Sequence, residues 1–476
     1  VTPSVQAPKG YREDSPAQYR GALEAAWHPA RPADALLKGP WWRVFGEPEL
    51  DALEAKLEID NQTIAQFFQN FMAARAQVDA ARAGYYPTVT TSPSYTWIGN
   101  GGGFGTFAGS TGVVPGATIP TGSTGRGGGA STSSFFSIPV TASWAPDLWQ
   151  RVRNTVRQAR ANAQVSAADL ENERLTEEAA LAEFYFQLRG QDALIDLYTR
   201  TIAADQQSLD YTRAQYETGI TSAETVSQAA VTLDTAQATG VGLAINRAVF
   251  EHAIATLIGE PASEFSMPAR GLTAQAPAIP VGIPSDVLQR RPDIAAAERT
   301  LAAANAQIGI AKAAYFPTVT LSSGGGLQAT SLDSLFSAPS LFWSLGATVS
   351  ETLFEGGLRR ATVRQSEAVY RADVAAYRQT VLTAFQQVED GLATLRIVSQ
   401  QIVRQETAVK AARYYLDLAQ ASYQTGVTPY LDVINAQTVL LSNEQTLVTL
   451  RVNEMTAAVS LVEALGGGWD VSKLPP

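Results

Sequence analysis

The side chains that do chemistry in most enzymes are scarce in this chain and are not grouped. Only two histidines occur in 476 residues, His28 and His252, far apart in sequence. They read as solvated or packed imidazoles. Cysteine is absent, which removes thiolate nucleophiles, thiolate metal sites and disulfides together. The stretch from Gly101 to Gly129 is rich in glycine but lacks Gly-Lys-Ser/Thr after a strand, so no phosphate-cradling loop is expected. Arg290-Arg291-Pro292-Asp293 sets cations beside an acid and invites reading as a catalytic cluster. A better reading is a helix beginning near Pro292, with Asp293 at its positive end. No catalytic residue, metal ligand or cofactor site is expected, and the chain reads as a non-enzyme.

Composition points the same way. Acidic residues outnumber basic ones, 45 to 35, which argues against a nucleic-acid binder. No run of about eighteen apolar residues occurs, so a transmembrane helix is not expected. No signal peptide stands at the start; Val1-Thr2-Pro3-Ser4 reads as a processed end leading into a proline-bearing extended segment. If this protein meets a membrane, it does so through strands or a lipid.

The elements come in two copies. Ala81-Arg82-Ala83-Gly84-Tyr85-Tyr86-Pro87-Thr88-Val89-Thr90 returns as Ala311-Lys312-Ala313-Ala314-Tyr315-Phe316-Pro317-Thr318-Val319-Thr320. Leu209-Asp210, Tyr216 and Thr218-Gly219 return as Leu416-Asp417, Tyr423 and Thr425-Gly426. Internal repeats of this kind decide the fold reading. Pro87 and Pro317 are 230 positions apart, and Gly219 and Gly426 are 207 apart. The first copy therefore holds 23 extra residues, placed in the Gly-, Ser- and Thr-rich loop 99–134.

Within each copy a helix leads into strands. The helical stretch from Glu49 to Tyr85 has a break at Asn61-Gln62. Strands are expected at about 87–98, 134–146, 317–327 and 341–352, each with the period-two alternation of a half-buried strand. Trp97, Trp144 and Trp343 lie near strand ends, like the aromatic girdle of a membrane barrel. Four strands cannot close a barrel, and an open sheet edge is not tolerated in lipid. If the strands face lipid, several chains must share one wall.

Long helices follow, 149–217 and 357–424, with little glycine or proline. Each spans on the order of 100 Å. Each ends at a glycine suited to a left-handed cap, in turns at 218–222 and 425–429. Return helices run to about Ile258-Gly259 and Leu465-Gly466. The expected organisation is an N-terminal segment 1–48, a first copy 49–260, a linker 261–284, a second copy 285–466 and a tail 467–476.

At this point the residues resemble a known family. Pro284-Ser285-Asp286-Val287-Leu288-Gln289-Arg290-Arg291-Pro292-Asp293-Ile294, with Glu298 and Ala303-Ala304-Asn305-Ala306, looks like the signature of the TolC/OprM-like outer-membrane factors, in the branch of NodT-type efflux lipoproteins. Trp41-Trp42, Phe45, Pro48-Glu49-Leu50 and Ala464-Leu465-Gly466-Gly467-Gly468-Trp469 also match, so the resemblance covers about Trp41 to Trp469. It implies an α+β membrane protein: a homotrimer whose chains give four strands each to a shared 12-stranded outer-membrane β-barrel, above a 12-helix periplasmic tunnel. It implies a passive exit duct for drugs or other small molecules. The partners would be a periplasmic adaptor, an inner-membrane pump of RND, MFS or ABC type, and outer-membrane lipid. Members of this branch start with a lipidated Cys; an anchor in this chain would lie at a Cys upstream of Val1.

The resemblance also places the candidate sites. The return helix of the second copy carries the constriction in related proteins, which falls here on Leu431 and Asn435. Asn435 and Thr225 stand where acids are common, leaving Asp432 and Glu224 as the nearest acids; three copies of either around an axis would attract cations. Adaptor docking is expected at Thr218, Gly219, Ile220 and Thr221, and at Thr425, Gly426, Val427 and Thr428. Simple helix caps and solvated acids would give the same residues. Rival functions are an exit duct for type I protein secretion and a trimeric structural or adhesin surface protein.

Overall fold

A computed structural model of the chain describes residues 39–100, 131–277, 279 and 290–467. Most of the expected segment 1–48, the glycine-rich loop, the later linker residues and nearly all of the tail lie outside the described residues, as do His28 and the Pro284–Gln289 part of the signature.

A 3-10 turn, Trp41–Phe45, precedes helices α1 (Pro48–Asp60) and α2 (Gln62–Ala83). Strands β1 (Thr88–Thr91), β2 (Ser94–Asn100) and β3 (Ser131–Trp144) follow. Then come α3 (Arg151–Glu217), α4 (Ala223–Leu257) and α5 (Pro292–Ala313). Strand β4 (Thr318–Ala329), a one-turn helix α6 (Leu332–Leu335) and β5 (Leu341–Ser350) lead to α7 (Leu358–Gln424) and α8 (Tyr430–Ala464). Lengths recur in pairs: α2 and α5 have 22 residues, α3 and α7 have 67, α4 and α8 have 35. Among the described residues no helix is long and apolar enough to cross a membrane.

The chain divides into two compact units, and these do not follow the sequence copies. One takes Ala73–Ala163 and Leu301–Asp373; the other takes Val1–Met72, Gln164–Thr300 and Val374–Pro476. Each unit draws on both copies: β3 of the first pairs with β4 of the second in one unit, and helices of both copies share an apolar core in the other.

The first unit holds an antiparallel sheet in the order β1-β3-β4-β5, with β2 also paired to β3. Where one strand is expected over about 87–98, the chain forms two, β1 and β2, so the sheet has five strands rather than four. The gap holds Pro93, which has no N–H to give to a ladder. Gly326 opposes Pro139 in β3, and a Cβ there would lie 2.1 Å from the Ile138 carbonyl oxygen. Only glycine lets the two strands approach so closely.

The second unit is built around a collar. Trp41, Trp42 and Phe45 are buried, with Phe45 against Phe186 at 5.1 Å between ring centres. Asn61 accounts for the break between α1 and α2. Its Oδ1 accepts the Ile64 N–H at 2.9 Å, while its Nδ2 donates to the Leu257 carbonyl at 2.9 Å. An ion-pair network fastens the collar. Arg189, 1 % exposed, pairs with Glu49 at 2.5 Å and Asp192 at 3.0 Å, and donates to the Pro268 carbonyl at 2.8 Å. Asp192 also holds Arg247 at 2.7 Å and accepts the Arg270 N–H at 3.0 Å. Arg270 in turn pairs with Glu47. A buried charge is tolerated when it is paired and hydrogen-bonded in this way.

Candidate functional site: the hairpin tips and the two-faced sheet

The two helical hairpins end in the same structure. Gly219 and Gly426 have φ of 79° and 75°, the left-handed region. Gly219 N–H donates to Tyr216 O and Ile220 N–H to Gln215 O; Gly426 N–H donates to Tyr423 O and Val427 N–H to Ser422 O. This is the paired bonding of a Schellman cap. It closes the carbonyls at the ends of α3 and α7 and turns the chain into α4 and α8. Ser222 caps α4, accepting the Thr225 N–H at 3.3 Å. Pro429 occupies the cap position of α8, one place before its first turn.

The tips pack on each other through a small apolar core of Leu209, Ala229, Leu233, Ala419, Tyr430, Val433 and Ala436. Tyr430 is its largest member. Its hydroxyl lies 2.6 Å from Ser208 Oγ on α3, and its ring centre lies 5.3 Å from that of Tyr423. Close by on the chain, Asp205 is 4 % exposed, and burial pushes its carboxyl up to about 6. Sequence reading missed both residues. The available signal was a difference between the copies: Tyr430 stands 207 positions after Ala223, and Asp205 stands 207 before Ala412.

Around this core the expected site residues fall as follows. Leu431 and Asn435 are both exposed and lie four apart, hence on one face of α8. Asp432 is half-buried on the neighbouring face, and Glu224 is exposed in the first turn of α4. Within one chain the fold does not gather these four into a cluster. Thr218, Gly219, Ile220, Thr425, Gly426 and Val427 are exposed, with Ile220 73 % and Val427 76 % accessible; Thr221 and Thr428 are half-buried. Each tip thus presents one apolar side chain to its surroundings.

The run Arg291-Pro292-Asp293 begins a helix, as its sequence suggests. Arg291 grips Asp293 with two bonds, at 3.0 and 2.6 Å, and donates to the Ala464 carbonyl at 2.9 Å. It ties the start of α5 to the end of α8 and is fully occupied in doing so. Among the described residues no group of three or more His, Cys, Asp or Glu could hold a metal ion.

The sheet has two unlike faces, both open to their surroundings. Register places Val140, Gly325 and Trp343 in one row, and Val89, Ala142, Ser323 and Leu345 in another row of the same face. Trp97, through its partner Ser134, and Trp144, opposite Leu321, share that face. Trp343 is 81 % and Leu345 79 % exposed. The opposite face carries rows such as Thr90, Thr141, Gly324 and Ser344, where Thr90 and Thr141 hydroxyls meet at 2.9 Å. An apolar face that no described residue covers at Val89, Trp343 and Leu345, backed by a polar one, is the pattern of a membrane barrel wall.

Comparison with known proteins agrees with this geometry. The family described as outer membrane efflux protein matches the chain over residues 55–260 and 283–467. The antibiotic efflux pump outer membrane protein ArpC of Pseudomonas putida is 31% identical over 472 residues, 98% of this chain and 92% of its own. Among solved structures, the outer-membrane channel OprN superposes with a TM-score of 0.82 at 26% identity, covering 98% of this chain and 99% of its own. CusC, whose structures concern folding and transmembrane channel formation, gives 0.80 at 26% identity over 98% of this chain and 100% of its own.

Proposed function

The chain belongs to the outer membrane efflux protein family, and from that premise we propose that it is the passive exit duct of a tripartite pump, assembled as a homotrimer. It is an outer-membrane efflux channel component reaching into the periplasm, and it is not an enzyme. One observation carries the finer reading: the sheet is apolar on one face and polar on the other, and among the described residues its edges at β1–β2 and β5 have no partner. Such a sheet is stable in lipid only when other copies pair its edges. Three copies would share one barrel, with their long helices continuing it as a tunnel. The two sequence copies, 49–260 and 285–466, would supply equivalent staves of that tunnel.

The tips are where such a duct would close. Leu431 and Asn435 would line the constriction, with Asp432 and Glu224 as the acids nearest it. The exposed turns at Thr218–Thr221 and Thr425–Thr428, each with an apolar residue at its crest, suit docking by a periplasmic adaptor that connects to an inner-membrane pump. The cargo class is drugs or other small molecules.

Single-channel conductance of the purified protein in planar bilayers tests this. Small wild-type currents that rise in Leu431→Ala and Leu431→Ser establish a duct closed at the second tip. Large currents unchanged by either substitution move the constriction elsewhere, and folded protein that makes no channels overturns the duct.

A further inference from the structure

We propose that a basic pocket at the foot of the sheet holds the phosphate of an anionic phospholipid headgroup. The proposal rests on reading the sheet as a membrane wall. The pocket, about 440 Å³, lies in the sheet-bearing unit between the end of α2 and the first turns of α3. Arg82 enters from the last turn of α2. Arg153, Arg157 and Arg160 enter from α3 at spacings of four and three, which places them along one helix face. Tyr85 and Tyr86, just before β1, and the buried Val156 of α3 complete the lining.

Local contacts set the frame of the pocket and hold two of its four arginines. A Cβ on Gly84 would lie 3.2 Å from the Val152 side chain, so α2 and α3 meet closely here. Asn154 Oδ1 accepts from Arg157 Nη1 at 3.2 Å and orients that guanidinium. Against four guanidinium groups, the one carboxylate in ion-pair contact among the described residues is Asp79, 3.0 Å from Arg82 on the exposed side. Converging cations without matching acids suit a multiply charged anion, and guanidinium forks match phosphate oxygens two bonds at a time.

The position of the pocket selects the lipid over a soluble anion. Trp144 lies on the apolar face of the sheet, and its indole donates to the Tyr85 carbonyl at 3.0 Å. The phosphate pocket therefore begins where the apolar face ends, so a bound headgroup would lay its acyl chains along Trp144 and Val140. Basic pockets of this kind beside membrane-spanning elements hold anionic headgroups, and tyrosines with a polar tip and an apolar body suit the same level. The second copy lacks the full set: Glu367 stands 207 positions after Arg160, and Phe316 stands 230 after Tyr86.

The test is thermal unfolding and native mass spectrometry of the full chain in detergent micelles. The additions are dioleoylphosphatidylglycerol, dioleoylphosphatidylcholine or inorganic phosphate. The phosphatidylglycerol is expected to raise the unfolding midpoint by about 3 °C or more and to remain bound in the spectrum. Phosphatidylcholine and free phosphate should do neither. R157E/R160E should abolish the response, and the milder R153Q/R160Q should weaken it, with the lipid-free midpoint unchanged in both. Equal stabilisation by phosphatidylcholine, or a full response in both variants, overturns the site. An equal response to inorganic phosphate overturns the lipid as its source. Conductance measured on the same preparation separates this from the duct reading: absent channels with the phosphatidylglycerol response intact sink the duct and leave the lipid site standing.

Discussion

The indole Nε1 of Trp41 donates to Oε2 of Glu178 at 2.8 Å, deep in the collar where Glu178 is 6 % exposed. That single bond does not offset the burial of the carboxylate. Burial, helped by the charge of Glu58 and opposed by the Trp41 bond, pushes Glu178 up to about 7. Glu54 is fully buried, both its oxygens lack a hydrogen-bond partner, and burial with the charges of Glu178, Glu58 and Asp51 raises it well above the usual carboxylate range.

Stability should therefore fall with rising pH. A raised carboxyl favours the folded state fully below its unfolded pKa near 4.5, and that contribution is lost as pH climbs through the folded value near 7. Between pH 5 and pH 8 the loss from Glu178 alone is on the order of 2–4 kcal/mol. Glu178→Gln, which keeps an acceptor for Trp41, should be more stable than wild type at pH 8 and about equal at pH 4.5. Denaturant midpoints across this range decide it; a wild type equally stable throughout would refute the buried-acid account.

Asp192 is the hub of the collar network, and its loss should be costly. Asp192→Ala removes partners from Arg189 and Arg247 while Arg189 stays buried. Arg189 keeps Glu49 and Arg247 keeps Glu251, so the cost is that of the buried charged hydrogen bonds left unmade, about 1–3 kcal/mol. A drop in the unfolding midpoint is expected, and a change under about 1 kcal/mol would show the network to be ornamental.

The turn glycines should matter by conformation alone. A Cβ on Gly219 or Gly426 meets nothing within 4 Å, yet both residues have positive φ. Alanine at either is expected to cost about 1–2 kcal/mol. Gly190→Ala should cost more, since its Cβ would fall 2.3 Å from Val452 Cγ2. Parallel chemical denaturation of the three variants gives the order, and Gly190→Ala as the mildest would contradict it.

Tyr430 separates packing from hydrogen bonding at the tip. Tyr430→Phe loses only the 2.6 Å contact with Ser208, about 0.5–1.5 kcal/mol. Tyr430→Ala empties the centre of the tip core, about 3–5 kcal/mol by analogy with other large aromatic truncations. Because that core joins the two hairpins, Tyr430→Ala should also raise single-channel conductance, while Tyr430→Phe should stay near wild type. Equal conductance in both variants would remove the packed tip as the gate.

The local elements were legible in the order of residues. Period-two alternation located the sheet strands, glycine at 219 and 426 located the turns, and Asn61 marked the break between the first two helices. Each depends on residues within a turn or a strand of one another, where backbone geometry and side-chain spacing act directly. The helix run at Arg291–Asp293 was legible for the same reason. The interruption at Pro93 was legible in principle, since proline removes a ladder donor, but alternation continues across it and hid the break.

The remaining features come from contacts between segments far apart in the chain. Arg270 and Glu47, joined in the collar, are 223 positions apart in the chain, and nothing local distinguishes them from solvated surface charges. Glu54 sits on a short helix with other acids and reads as part of a wet face until the collar closes over it. Tyr430 reads as one more tip residue until Ser208 meets its hydroxyl. Burial and pairing depend on which distant surfaces come together, so the ionisation of these groups, and the grouping of both copies into each compact unit, exist only once the chain has folded.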